Sequence, residues 1–117
     1  MKYSITVREQ FSASHQLKDY EGKCKNLHGH NYIVELTVSS KTLDKHNMVI
    51  DFGILKYILK NILNDLDHKH LNDVLKCNNP TCEYIAKYIY NIVKETLFMP
   101  IKVKVYETLN QWVEVEG

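Results

Sequence analysis

The sequence predicts an α+β fold of order ββααββ, and three observations carry that prediction. Both ends of the 117-residue chain alternate polar and apolar residues with a period of two. The middle instead spaces its apolar residues three and four apart, as an amphipathic helix does. Asp, Asn, Gly and Pro punctuate the changes of period. The expectation is one domain, residues 1–117, with an antiparallel sheet covered on one face by two helices.

The elements follow in order. Tyr3, Ile5 and Val7 alternate with Ser4, Thr6 and Arg8, and the same parity runs on through Phe11, Ala13 and His15 if no bulge intervenes. Gly22 to Asn26 reads as a polar loop. A second strand then sets His28, His30, Tyr32, Val34, Leu36 and Val38 on one face, and it pairs naturally with the first. Asp51 is a plausible N-cap for a helix carrying Ile54, Leu55, Ile58, Leu59, Ile62, Leu63 and Leu66. A polar loop, Asp67 to Asp73, follows. Asn79-Pro80 offers a cap and a first-turn proline for a second helix with the stripe Ile85, Ile89, Ile92, Val93 and Leu97, closed by Pro100. Ile101, Val103 and Val105 form a third strand, and a turn near Asn110 leads to a fourth with Trp112, Val113 and Val115. Such a sheet keeps two unpaired edges, which other copies of the chain are expected to cover.

Composition narrows the function. Hydrophobic residues make up 44% and charged residues 25%, ordinary for a globular chain, and the net charge of +1 gives no broad case for nucleic acid or an anionic membrane. The first residues lack the apolar core of a signal peptide, and no run of about 20 apolar residues occurs. Three cysteines, Cys24, Cys77 and Cys82, have no framework spacing, so a reduced cytoplasmic protein is expected.

His28-Gly29-His30 places two imidazoles on one face of a strand, and His15 reaches that face if the first two strands pair. Three neutral imidazoles suit zinc and leave one tetrahedral position open to water or substrate. The plain alternative is an incidental pair of surface histidines. Cys24, four residues before His28, has three readings: a small buried hydrophobe, a fourth zinc ligand, or a free thiolate base favoured by Lys23 and Lys25. Spacing does not choose among them. Cys77 and Cys82 read as structural.

Asp67-His68 sits in the loop after the first helix, either as scaffold-held chemistry or as a turn former beside a helix-terminal histidine. His46 and His70 read as surface residues. Glu107 continues the buried parity of Val103 and Val105, where a carboxylate needs a partner. Its acceptors match a planar pair of N–H donors such as the amino-pyrimidine edge of a pterin. Thr81 and Glu83 read by default as capping and first-turn residues.

Together these segments resemble the 6-pyruvoyl/6-carboxy-tetrahydropterin synthases. The resemblance runs through Phe11-Ser12-Ala13-Ser14-His15, Cys24 to Tyr32, Met48 to Phe52, Leu66 to Asn72, Asn79 to Glu83 and Glu107-Thr108. It implies the tunnelling fold, in which ββααββ subunits form trimeric barrels stacked into a hexamer. It also implies zinc on His15, His28 and His30 with Cys24 as the base. His68, supported by Asp67, would relay protons from a neighbouring subunit, Glu107 would anchor the pterin and join the relay, and Thr81 would help line its pocket. Three residues between Cys24 and His28 resemble the bacterial 6-carboxytetrahydropterin synthases of the queuosine pathway. Lys25, Asn47 and Cys82 depart from the usual Gly, Gly and Ser, and Gln111 to Glu114 from commoner small residues.

The reaction so implied converts 7,8-dihydroneopterin triphosphate to 6-carboxy-5,6,7,8-tetrahydropterin, acetaldehyde and triphosphate. Its rivals are pyruvoyl formation, a folate-pathway aldol cleavage, a zinc-stabilised binding module with Cys24 as fourth ligand, and a structural subunit with incidental histidines.

Overall fold

The computed structural model describes every residue except Lys23 and Cys24. Its elements are β1 (Tyr3–His15), β2 (His28–Ser40), α1 (Phe52–Asn64), β3 (Lys69–His70), α2 (Leu71–Val74), α3 (Cys82–Thr96), β4 (Ile101–Thr108) and β5 (Gln111–Glu116). The expected ββααββ order is present, with a short strand and one helical turn inserted where a polar loop was expected. The sheet runs β3-β1-β2-β4-β5. It is mixed rather than wholly antiparallel, because β3 pairs parallel to β1 at Ala13↔Lys69 and Ser14↔His70.

Strands β1 and β2 pair without interruption from Tyr3↔Ser40 to His15↔His28. No bulge breaks β1, so one face carries Val7, Phe11, Ala13 and His15 into the interior. Tyr32, Val34, Leu36 and Val38 of β2 and Val103 and Val105 of β4 join them, and Leu55, Leu59, Ile85, Ile89 and Val93 close the core from the helices. Each such side chain, fully buried, contributes about 1.5–3 kcal/mol, and the helices owe their stability to this contact. The opposite face is a polar ladder, with Ser4–Ser39 at 2.8 Å, Thr6–Thr37 at 2.7 Å and Ser12–Asn31 at 2.6 Å.

The helix boundaries correct three expectations. Asp51 caps α1 as expected, its carboxylate accepting from Gly53 N and Ile54 N, but Ile54 is exposed and Leu66 is buried beyond the helix end. Of the two caps the sequence offers for α3, Thr81 takes the role rather than Asn79, its hydroxyl accepting from Tyr84 N at 3.2 Å. That helix ends at Thr96, four residues before Pro100. Asn47 stands at φ 61°, a left-handed position that Gly fills without strain and Asn tolerates. Buried Asn72 ties the chain after β1 to α2: it accepts from Gln16 N at 2.9 Å and donates to Gln16 O at 2.7 Å. This fixes the loop just beyond His15.

Candidate metal centre and adjoining cavity

The β1–β2 register places His15 directly across from His28, and His30 lies two residues further along the same face. The three rings stand edge to face, with centroids 4.4 Å, 5.3 Å and 4.8 Å apart. One nitrogen from each comes within 4.8 Å of the others. The expected cluster therefore forms within a single chain.

Hydrogen bonds show which nitrogens face inward. His15 Nδ1 lies 2.9 Å from Pro80 O, and His28 Nδ1 lies 2.6 Å from Asn26 O. A carbonyl only accepts, so each Nδ1 carries a proton and each neutral ring keeps its lone pair on Nε2. Those two Nε2 atoms are 2.9 Å apart. Two lone pairs held that close repel unless a proton or a cation lies between them. His30 Nε2 is buried with no hydrogen-bond partner among the described residues. Burial pushes the pKa of both His15 and His30 below the ordinary value, against the upward pull of Pro80 O on His15 and of Glu107 on His30. Three imidazoles with converging nitrogens, two of them oriented by a backbone carbonyl on Nδ1, are the donor set a divalent metal needs. The residues fit zinc.

Glu107 lies beside this cluster, its Oε1 3.9 Å from His30 Nε2. Its placement uses a device that strand parity did not reveal. Tyr106 pairs with Trp112 and Thr108 with Gln111, leaving Glu107 as the extra residue of a β-bulge. Gln111 Nε2 donates to Glu107 Oε1 at 3.1 Å, and Cys82 Sγ donates toward Oε2 at 3.8 Å. Burial, with help from the charge on Glu107, pushes the Cys82 thiol up to about 12, so it stays a protonated donor. A cavity of roughly 290 Å³ is lined by His15, Thr81, Cys82, Glu107 and Gln111, with Leu17 and Tyr20 at its side. Thr81 thus caps α3 and lines this cavity.

Asp67 and His68 occupy a different place. They follow α1 and border β1, where His68 N donates to Ser12 O and Asp67 Oδ1 accepts from Ser12 N at 2.9 Å. The Ser12 N–H, joined by His68, holds the Asp67 carboxyl below its usual range despite partial burial. Asp67 Oδ2 lies 3.0 Å from His68 Nδ1, so these sequence neighbours do pair. His68 has φ 58°, an uncommon conformation for a non-glycine residue, and its side chain is 82% exposed. It lines a second cavity of roughly 480 Å³ with Ser12, Ser14, His30, Asn31 and His70. His70, read as a surface residue, is half-buried and lies 3.0 Å from Ser14 Oγ. Within one chain the structure unites His15, His28, His30, Glu107 and Thr81, and neither Asp67 nor His68 lines the cavity of Glu107. Cys24, expected as the base, lies outside the described residues.

Sequence reading missed four contributors: the carbonyls of Asn26 and Pro80, the thiol of Cys82 and the amide of Gln111. Backbone carbonyls carry no residue signature, and Gln111 looks like an ordinary strand-end polar residue. Cys82 carries a signal, its departure from the usual Ser, but nothing in its spacing ties it to Glu107.

Residues 4–117 match the family described as 6-pyruvoyl tetrahydropterin synthase. A 6-carboxy-5,6,7,8-tetrahydropterin synthase of Rickettsia conorii is 34% identical over 134 residues, covering 94% of this chain and 97% of that protein. A 6-pyruvoyl tetrahydrobiopterin synthase of Dictyostelium discoideum is 36% identical over 132 residues, covering 97% and 95%. The solved structure of Caenorhabditis elegans 6-pyruvoyl tetrahydropterin synthase is similar with a TM-score of 0.87 and 26% identity, covering 100% of this chain and 96% of that one. This chain therefore belongs to the 6-pyruvoyl tetrahydropterin synthase family.

Proposed function

We propose that this chain is a zinc-dependent carbon–carbon lyase that converts 7,8-dihydroneopterin triphosphate to 6-carboxy-5,6,7,8-tetrahydropterin, acetaldehyde and triphosphate, a step toward queuosine. The observation that carries the reading is the convergence of three imidazole nitrogens within 4.8 Å, beside a carboxylate in the wall of a cavity. The Rickettsia relative bears the name of that activity.

His15, His28 and His30 would hold the zinc, which when bound supplies Lewis acidity to the side-chain oxygens of the substrate. Glu107 accepts the paired N–H groups of the pterin's amino-pyrimidine edge and so fixes the ring. That turns a chance encounter into a held geometry. Thr81 completes the wall of the ring pocket. Cys24, on sequence grounds, is the base that removes a proton from the substrate's side-chain carbon. Asp67 accepts the Nδ1–H of His68, leaving Nε2 to move protons at the exposed end of the ring. The family resemblance implies that Asp67 and His68 would serve the site of a neighbouring copy. The sheet ends in β3 and β5, edges that other copies would pair with in the proposed hexamer of two trimeric barrels. No helix of the described residues is long and apolar enough to cross a membrane, and the proposed location is the cytoplasm.

The test is incubation of the purified, zinc-loaded protein with 7,8-dihydroneopterin triphosphate, with identification of the pterin and two-carbon products. Acetaldehyde together with the 6-carboxy product is the expected result. The Dictyostelium relative favours a second reading, pyruvoyl formation. A 6-pyruvoyl product without acetaldehyde would establish that one instead.

A further inference from the structure

We propose that Gln111 is a positioning residue for Glu107, holding the carboxylate by an uncharged donor so that its remaining acceptors meet the 2-amino-4-oxo edge of a pteridine. This rests on the reading of Glu107 as the ring anchor and adds a residue that sets the ring selectivity of that anchor.

The geometry points to this role in three ways. First, the bulge at Glu107 takes it out of the β4–β5 ladder and sets it beside Gln111 at the start of β5. Second, each carboxylate oxygen has one protein donor, Gln111 Nε2 on Oε1 at 3.1 Å and Cys82 Sγ on Oε2 at 3.8 Å. An ionised carboxylate offers about four lone-pair sites, so roughly one remains on each oxygen. Two parallel acceptors are what the amino and ring N–H groups of a 2-amino-4-oxopyrimidine require. Third, among the described residues no Lys or Arg pairs with Glu107, whose only ion-pair neighbour is His30 at 3.9 Å. An arginine would engage both oxygens at once and offset the charge that attracts the ligand. A neutral amide fixes the carboxylate and leaves its charge for the ring.

Binding of pterin (2-amino-4-oxopteridine) and its 2,4-dioxo analogue to the zinc-loaded full-length chain tests this, because only the former presents donors at both positions. Gln111→Ala is expected to lower the preference for pterin about fivefold to tenfold, the loss of one charge-assisted hydrogen bond, with zinc content and melting temperature unchanged. Gln111→Glu keeps the shape, removes the donor and places a second carboxylate beside Glu107, so the preference should fall further. With substrate, the change should appear in KM rather than kcat. Preference intact in Gln111→Ala would overturn this inference alone. If the unaltered chain shows no preference for pterin, the reading of Glu107 fails and this inference with it.

Discussion

Glu35 and Glu107 are carboxylates on neighbouring strands of one sheet, and their surroundings give them opposite uses. Glu35 lies on the polar face, where the Arg8 guanidinium grips Oε2 and Tyr106 donates to Oε1 at 3.0 Å. Partial burial opposes its ionisation. The hydrogen bonds from Arg8 and Tyr106, with the charges of Arg8 and Lys104, outweigh that and hold its pKa below the ordinary value. Glu107 lies on the helix-covered face, met by a neutral amide, a thiol and an imidazole. One carboxylate is saturated by a cation and belongs to the sheet. The other is held by weaker, uncharged donors in the wall of a cavity. The difference lies in the partner: Glu35 meets an arginine, whereas half-buried Glu107 meets no Lys or Arg among the described residues.

The comparison breaks first at the histidines. His28→Ala is expected to lower bound zinc, measured by elemental analysis, and to reduce turnover by more than about 10³-fold. Full zinc content in that variant would remove the metal centre from the account. Next in size, Glu107→Gln should weaken pterin binding by roughly tenfold to a hundredfold, whereas Glu35→Gln should leave it within about twofold. Equal losses would mean the two carboxylates do not differ in role.

Acid unfolding sharpens the contrast. The folded pKa of Glu35 is depressed, so its contribution is present above the unfolded carboxylate range and disappears as pH falls through the folded value. Melting curves of Glu35→Gln should therefore lose less stability on acidification than those of the unaltered chain. The smallest effect concerns Thr81, which both caps α3 and lines the cavity. Thr81→Ala should cost about 1 kcal/mol, a melting shift of roughly 4 °C, and Thr81→Ser should restore it. Should Ser recover stability but not pterin affinity, the side-chain methyl serves the ring pocket.

Much of the architecture was legible because side-chain period reports face directly. Strand β1 kept one parity for its whole length, so His15 fell on the face of His28 and His30 as its position in the chain implied. What stayed illegible was whatever depends on counting across a ladder or on the backbone itself. Glu107 had the right parity for a reason its own strand does not show, since the bulge appears only when β4 is laid against β5. The pairing of β3 with β1 was equally hidden, because two residues are too few to carry a period. Asn79-Pro80 and Thr81 both read as caps in the sequence, and only the fold shows that Thr81 takes the role, with Glu83 in the first turn.

The sequence by itself determined the α+β class, the two-helix cover and the three imidazoles on one sheet face. Each depends on spacing along a single element, and spacing is a one-dimensional property. Only the tertiary structure decided which nitrogens face inward, because carbonyls from Asn26 and Pro80 set the tautomers of His28 and His15. It also decided that His68 lines a second cavity, on the far side of β1 and β2 from Glu107's, and that Gln111 holds Glu107. Those outcomes rest on contacts between distant or backbone groups, and a residue's identity does not reveal which neighbour folding will bring to it.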